Sequence, residues 1–210
     1  MSGDPEASLS PFAPGTSPFH VKGNGYRGQI DYIQAHVPGG LAAVLEQVPG
    51  KELAAYLGQP FLAGSWYDLF PFVALQKAAG LTLGISGLEF ATRFSRFQAQ
   101  RDISGLYRLL LKLASPEMVM ARLPKVAGQY YDFIEVTVSE VEKGVFESRI
   151  SGAPAVAAGM YRVSSTAFVQ EALTAAGAKG VNVQWVGATP APDRHGVKIV
   201  TLTRRVSWQV

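Results

Sequence analysis

Apolar residues recur at helical spacing over the first two-thirds of the chain. Ile30, Ile33 and Val37 stand three and four positions apart, which predicts a helix with one buried face. Cap residues, glycines and prolines set the limits of the neighbouring helices. The predicted helices cover residues 26–37, 41–47, 51–57, 65–79, 88–100, 105–113 and 115–131.

Three serines mark predicted helix starts. Ser65 and Ser86 each precede an acidic residue by three positions, a spacing at which both side chains can satisfy free backbone N–H groups. Ser115 is followed by Pro116, which fits a first helical turn because its missing N–H is not needed there. Pro71 lies inside the helix predicted from Ser65, so we expect that helix to start late or to kink.

The hydrophobic period changes to two at Ile134. Ile134, Val136 and Val138 alternate with polar residues, which predicts a half-buried strand. The remaining predicted elements are a second strand at 145–150, a helix at 164–176 and two closing strands joined by a connection at 187–196. The inward-facing residues of the closing strands are Val181, Val183 and Trp185 in one, and Val200, Leu202, Val206, Trp208 and Val210 in the other, which Arg204 interrupts.

The order of these elements predicts the α+β fold class. A helical N-terminal two-thirds is expected to pack on a four-stranded antiparallel sheet, in the order β-β-α-β-β, in the C-terminal third. Residues 1–18 are rich in Pro, Ser and Gly, which predicts a disordered tail. Residues 19–210 contain no stretch with the composition of a linker between domains, so we expect them to form a single domain.

Composition narrows the class of protein. The chain is 48% hydrophobic, 17% charged and free of cysteine, with a net charge of +3. The basic residues Arg93, Arg96, Arg101 and Arg108 are spread along helices, which favours a solvated face over a phosphate-binding stripe, and we expect no nucleic-acid partner. No apolar run approaches the roughly 18 residues that span a bilayer, and the N-terminus has no signal-peptide pattern. We therefore expect a cytoplasmic protein without a membrane span.

No catalytic or cofactor motif is present. The lack of cysteine excludes thiolate nucleophiles and cysteine-based metal sites. His20, His36 and His195 are far apart in sequence and favour surface or capping roles, with a haem ligand at His20 as the alternative. We expect no enzyme activity, no metal and no cofactor. A catalytic site assembled from distant residues is the alternative.

Several short motifs resemble a paralogous family of myxobacterial proteins of about this length. They are His20-Val-Lys-Gly23, Ser65-Trp-Tyr67, Gly87-Leu-Glu-Phe-Ala91, Ala114-Ser-Pro-Glu117, Tyr130-Tyr131, Gly159 and Val206-Ser-Trp208. That family is similar in topology to haem–nitric-oxide-binding, 4-vinyl-reductase and trafficking-complex small-subunit domains. The resemblance implies helices packed on a four-stranded sheet, and a ligand-sensing or interaction role.

The cofactor residues of those relatives do not carry over. The haem branch has a Y-x-S-x-R signature, and the nearest segment here is Tyr161-Arg-Val-Ser-Ser165. It has valine at the serine position and serine at the arginine position. The vinyl-reductase branch uses cysteines for its metal, and this chain has none. Both departures argue against haem and against metal.

The leading hypothesis is a non-enzymatic regulatory or sensory module that binds a small apolar ligand between its helices and its sheet. The candidate pocket residues are Trp66, Tyr67, Phe70, Phe90 and Phe94, for each of which core packing is the alternative role. The alternative function is a protein–protein interaction or scaffold module in a signalling or cytoskeletal assembly. Its partner would be a second copy of the chain or another protein.

Overall fold

The structure is a computed structural model that describes residues 10–104 and 114–209. The helix predicted at 105–113 and the first part of the predicted tail, at 1–9, lie outside the described residues. In chain order the elements are β1 (His20–Lys22), α1 (Gly23–His36), α2 (Gly40–Glu46), α3 (Lys51–Leu57), β2 (Trp66–Asp68), α4 (Leu69–Thr82), α5 (Gly87–Ser104), α6 (Pro116–Tyr130), β3 (Glu135–Glu142), β4 (Val145–Pro154), a 3-10 turn (Ala155–Ala157), α7 (Ala158–Ala175), β5 (Lys179–Arg194) and β6 (Val197–Gln209).

The four-stranded sheet confirms the predicted α+β fold. Its strand order is β3-β4-β6-β5, and every neighbouring pair is antiparallel. β6 therefore lies between β4 and β5, and its residues alternate between the covered and the open face. Ile150 of β4 pairs with Leu202 of β6, and Ser148 pairs with Arg204, so these four side chains lie on the covered face.

The predicted connection at 187–196 is wrong, because β5 continues to Arg194. A tight turn at His195 and Gly196 joins β5 directly to β6, and both residues have positive φ (52° and 76°), as a type I′ turn requires. Pro190 and Pro192 suggested a loop in the sequence. β5 is an edge strand, where a residue without an N–H is tolerated, and the strand therefore passes through both prolines.

The predicted helix start at Ser65 is also wrong. Trp66 to Asp68 form β2, which pairs with β1, and α4 begins only at Leu69. Asp68 caps α4, because its Oδ1 accepts the backbone N–H of Phe70 at 2.9 Å. Pro71 consequently lies in the first turn, and the late start that it predicted is confirmed.

Asp68 also holds the N-terminal segment against the domain. Its Oδ2 accepts the backbone N–H groups of Gly15 and Ser17 at 3.0 and 3.3 Å, and its Oδ1 accepts the Ser17 hydroxyl at 2.7 Å. The rings of Phe12 and Phe70 lie 6.0 Å apart. Residues 10–18 are thus packed on the fold, and the predicted disordered tail does not hold for them, because a buried carboxylate satisfies their backbone.

The core consists of two hydrophobic clusters that meet along β6. The first gathers the N-terminal helices onto Ile150 and Leu202. The second gathers α6 and α7 onto Phe146, Val206 and Trp208. The central strand β6 therefore contributes side chains to both clusters. Arg204 lies between the side chains that it gives to each.

Glycines let α4 and α5 meet at a sharp corner. A Cβ on Gly80 would lie 2.9 Å from the carbonyl oxygen of Ile85, and one on Gly87 would lie 2.9 Å from the Cα of Lys77. Larger residues would push the two helices apart. Within the described ranges no single helix is both long and apolar enough to cross a membrane, and α4 and α5 reach that length and apolarity only together, across a bend of 106°.

Asp68 gives the first prediction. Replacing it with alanine removes the cap of α4 and leaves several buried N–H and O–H donors without an acceptor. We expect Asp68→Ala to lower the free energy of unfolding by about 3 kcal/mol in urea titrations followed by circular dichroism. Asp193→Ala, at an exposed position of β5, is the control and should change it by less than about 0.5 kcal/mol. Equal effects of the two substitutions would show that Asp68 does not tie the N-terminal segment to the fold.

Candidate functional site

A cavity of about 110 Å³ lies where the helices meet the covered face of the four-stranded sheet. It sits between the two hydrophobic clusters, because Phe94 and Met160 of the first cluster and Leu123 and Val169 of the second all line it. Aromatic rings supply much of its wall. They belong to Phe72, Phe94, Tyr130, Tyr131, Tyr161 and Phe168.

Helical periodicity places the polar groups of the cavity. Residues three and four positions apart lie on one side of an α-helix, so each of two helices presents a single mixed face to the space. The α5 face consists of Phe94, Ser95, Gln98, Ala99 and Asp102. The α7 face consists of Tyr161, Ser164, Ser165, Phe168 and Val169.

Arg204 is the cation of the cavity wall. It lies at the middle of β6 with 1% of its surface exposed, among the largest fully buried side chains of the protein. Its Nη1 donates to the hydroxyl of Ser165 at 2.5 Å, and its Nη2 donates to the hydroxyl of Ser148 at 3.2 Å. Both acceptors are neutral, so the charge of the guanidinium is solvated by hydroxyl dipoles.

Two aromatic residues complete the surroundings of Arg204. The guanidinium carbon lies 5.6 Å from the centre of the Trp185 ring, within the range of a cation–π interaction. Burial lowers the pKa of Arg204, and the neighbouring Tyr161 acts in the opposite direction. Burial raises the pKa of the Tyr161 phenol, which Arg204 and Ser165 partly oppose. Since arginine stays protonated in proteins and the raised pKa keeps the Tyr161 phenol neutral, the pair at neutral pH is a buried cation beside a neutral phenol.

Unsatisfied polar atoms collect on this cavity. Among the described residues, four buried side-chain polar atoms have no hydrogen-bond partner: Ser95 Oγ, Gln98 Oε1, Arg162 Nε and Arg204 Nε. The residues Ser95, Gln98 and Arg204 line the cavity. Since buried polar groups are normally paired, a cluster of unpaired ones around one space marks a place for the polar atoms of a ligand or of water.

The carboxylate of the cavity wall, Asp102, is held by three donors. Tyr130 donates its hydroxyl to Oδ2 at 2.8 Å, and Gln98 Nε2 donates to Oδ1 at 2.8 Å. Asn24 approaches Oδ1 at 3.5 Å. These contacts fix Asp102 at the α5 end of the space, and in the described part of the chain no salt bridge joins it to Arg204.

The structure separates the five residues predicted for the pocket. Phe94 lines the cavity. Phe70 and Phe90 are buried within the first hydrophobic cluster, where Phe70 packs against Phe19 and Phe90 against Tyr32. These two phenylalanines therefore have the packing role that was their alternative.

Trp66 and Tyr67 lie on β2, beside the lining residue Val21 of β1, but do not themselves line the cavity. Trp66 is 39% exposed, and the Lys22 ammonium lies 3.7 Å from the centre of its ring. The hydroxyl of Tyr67 accepts the backbone N–H of Leu62 at 2.9 Å.

The sequence prediction missed the polar residues of the wall, Arg204 and Ser165 among them. Arg204 is the one charged residue in an inward-facing apolar series, and this signal could have identified it.

Comparisons with known proteins identify the fold. No family model and no curated protein sequence matches the chain. Solved structures of H-NOX domains match it at low identity. A structure from a study of haem distortion in the H-NOX family has 12% identity and a TM-score of 0.66, over 90% of this chain and 95% of that one. A mutant H-NOX domain of T. Tengcongensis has 13% identity and a TM-score of 0.65, over 90% and 98%.

A third match is an oxygen-binding H-NOX domain related to soluble guanylate cyclases, with 12% identity and a TM-score of 0.61 over 90% of this chain and 93% of that one. The chain therefore has an H-NOX-like fold, and the resemblance to haem–nitric-oxide-binding topology is confirmed. At such identity the likeness establishes the fold alone. Membership of the myxobacterial family stays a prediction.

The histidines do not fit a haem in this cavity. All three lie within the described residues, and none of them lines the space. His20 alternates on β1 with the lining residue Val21, and its Nδ1 pairs with Asp132 Oδ2 at 2.6 Å. His36 stacks on Tyr32, and His195 forms the β5–β6 turn.

The remaining candidate iron ligands do not fit either. Haem iron is held in proteins by His, Cys, Met with His, or Tyr. Met160 lines the cavity without a histidine, the hydroxyls of Tyr130 and Tyr131 contact Asp102 and Ser164, and Tyr161 lies beside the Arg204 guanidinium. A volume of about 110 Å³ is also close to that of a cavity for a single benzene ring, about 150 Å³. A porphyrin is much larger. The wall is therefore suited to a smaller molecule.

Tyr131 on the cavity wall gives a pH-dependent prediction. Burial raises the pKa of this phenol to about 12 from the ordinary value of 10.0, while its hydrogen bond with Ser164 opposes the rise. The Tyr131 phenol therefore ionises at lower pH in the unfolded chain than in the folded protein. The stability that it contributes is full below pH 10 and is lost by about pH 12. We expect Tyr131→Phe to lose up to about 2 kcal/mol less stability than the unaltered protein over this interval.

Urea unfolding at several pH values, followed by circular dichroism, measures this difference. Titration of tyrosinate absorbance in the folded protein should show one phenol fewer ionising near pH 12 in the variant. Parallel stability curves for the two proteins would contradict the prediction.

Proposed function

We propose that this protein is a ligand-binding sensory module whose cavity takes one small, largely apolar molecule. The observation that carries the proposal is the position of the cavity. It lies between two hydrophobic clusters and is walled by aromatic side chains from the helices on one side and by Val136 and Arg204 of the sheet on the other. The H-NOX-like fold supports the same function, since the matched domains include one described as binding oxygen.

The size and the lining of the cavity set the class of ligand. A volume of about 110 Å³ suits a single ring or a short alkyl chain, as judged from engineered cavities that bind benzene. Pockets of this kind gain affinity from apolar contact and take their specificity from a few placed polar groups. Ser95 and Arg204 are those groups here, whereas the unpaired oxygen of Gln98 lies against Gly28 of α1.

Binding in the cavity can affect several parts of the fold at once, because α5, α7 and β6 all contribute to its wall. A ligand would contact α5, α7 and the covered face of β6. It would therefore contact both hydrophobic clusters at once. A molecule that binds one arrangement of these elements better than another shifts the balance between them. The proposed role is thus regulatory rather than catalytic. The interaction-module alternative is a separate prediction, tested by the oligomeric state in solution.

Filling the cavity from within should abolish binding. Ser95 is buried on α5, and leucine at this position would occupy the space while removing an unpaired hydroxyl. We expect native mass spectrometry of the protein purified from its source cells to show a species heavier than the bare polypeptide, and Ser95→Leu to lack that species. Arg96→Leu, at an exposed position of the same helix, is the matched control and should retain it.

The proposal also predicts the thermal behaviour of these proteins. Removing the bound molecule by partial unfolding and refolding should lower the melting temperature of the unaltered protein and of Arg96→Leu, and should leave that of Ser95→Leu unchanged. Bare polypeptide in all three preparations, with no change in melting temperature, would overturn the proposed function.

A further inference from the structure

In the part of the chain that the structure describes, the buried guanidinium of Arg204 has no anionic partner. It is 1% exposed, and its recorded hydrogen bonds go to the neutral hydroxyls of Ser165 and Ser148. A guanidinium carries more N–H donors than two hydroxyls can accept, and Nε has no partner among the described residues. An uncompensated buried charge is costly, and native proteins usually pair it.

The missing partner must reach Arg204 through the cavity, because Arg204 lines it. Asp102 is the carboxylate of the same wall. Its oxygens are occupied by Tyr130, Gln98 and Asn24, and it forms no salt bridge with Arg204 among the described residues. The cavity therefore has a cationic site supplied with extra hydroxyl donors and, apart from Asp102 and its partners, a wall dominated by aromatic and aliphatic side chains.

We propose that the ligand is a small organic acid whose single carboxylate pairs with Arg204 and whose apolar body lies among Phe94, Phe168 and Met160. This inference rests on the proposed function and names its ligand class. A guanidinium binds the planar carboxylate through two parallel N–H donors, and the unpaired Nε is one donor of such a pair. Ser165 holds Nη1 and so orients the group.

The charge balance favours a carboxylate over a phosphate. Among the described residues the charged groups of the wall are Arg204 and Asp102, and Asp102 already has three donors of its own, so a carboxylate supplies the single negative charge that Arg204 lacks. A phosphate dianion would leave excess negative charge buried near Asp102, which desolvation and like-charge repulsion both oppose. An uncharged ligand would leave Arg204 as unbalanced as it is without one.

Two matched pairs of probes test this inference by isothermal titration calorimetry. Benzoate and benzamide share one shape, hexanoate and hexanamide share another, and within each pair only the acid is charged. We expect the unaltered protein, freed of bound molecules, to bind at least one acid about tenfold or more tightly than its amide. Arg204→Met should weaken binding of that acid by about tenfold to a hundredfold and leave the affinity for the amide nearly unchanged.

Folding of the variants is checked independently of binding. Replacing a buried charge by an apolar residue of similar length is often neutral or stabilising, so Arg204→Met should melt no lower than the ligand-free unaltered protein. Arg204→Lys keeps the charge but loses the planar fork, and we expect an acid affinity between those of the unaltered protein and Arg204→Met. Ser95→Leu should bind none of the four probes.

The outcomes separate the inference from the proposed function. If an amide binds the unaltered protein as tightly as its acid, or if folded Arg204→Met binds the acid undiminished, the carboxylate inference is overturned while a ligand-binding cavity remains. If no probe binds and the protein from its source cells carries only bare polypeptide, the proposed function fails, and the inference fails with it.

Discussion

The buried charge of Arg204 is the constraint around which the rest of the site is arranged. The side chain stands on the covered face of the central strand, between Leu202 of one hydrophobic cluster and Val206 of the other. A cation at that point cannot be packed as an apolar residue would be, because its desolvation must be offset by nearby dipoles. Ser148 and Ser165 supply those dipoles, and the cavity lies beside them between the two clusters, which meet along β6.

This arrangement gives an H-NOX-like fold a different kind of interior. The fold places helices over one face of a four-stranded antiparallel sheet, as in the matched haem-related domains. Here the cavity is small, none of the three histidines lines it, and the phenols of Tyr131 and Tyr161 stay protonated. In the proposed function, specificity comes from Arg204 and the unpaired hydroxyl of Ser95 on α5. The fold and the ligand class are separate properties, and the side chains of the wall determine the second.

Local signals predicted most of the fold, and contacts between distant residues account for the failures. Ser115 and Ser86 cap their helices as expected, since each hydroxyl accepts a backbone N–H at 3.3 and 3.0 Å, respectively. Ser65 failed because Asp68, three positions later, is needed as a buried acceptor for Ser17 across the fold. The site was harder to predict, because Arg204 meets Ser148 and Ser165 only once strands and helix have assembled. The one sequence signal for the site is a charged residue at an inward-facing position of an otherwise apolar strand.

The central claim is that the Arg204 guanidinium binds an anionic group of a ligand inside the cavity. The most direct measurement is the Nε–H resonance of Arg204 in a 1H–15N NMR spectrum, assigned by its loss in Arg204→Met and recorded during titration with hexanoate or benzoate. We expect this resonance to move downfield and to saturate together with binding of the acid, whereas the resonances of exposed arginines such as Arg96 should stay in place. Binding of the acid with the Arg204 resonance unmoved would contradict it.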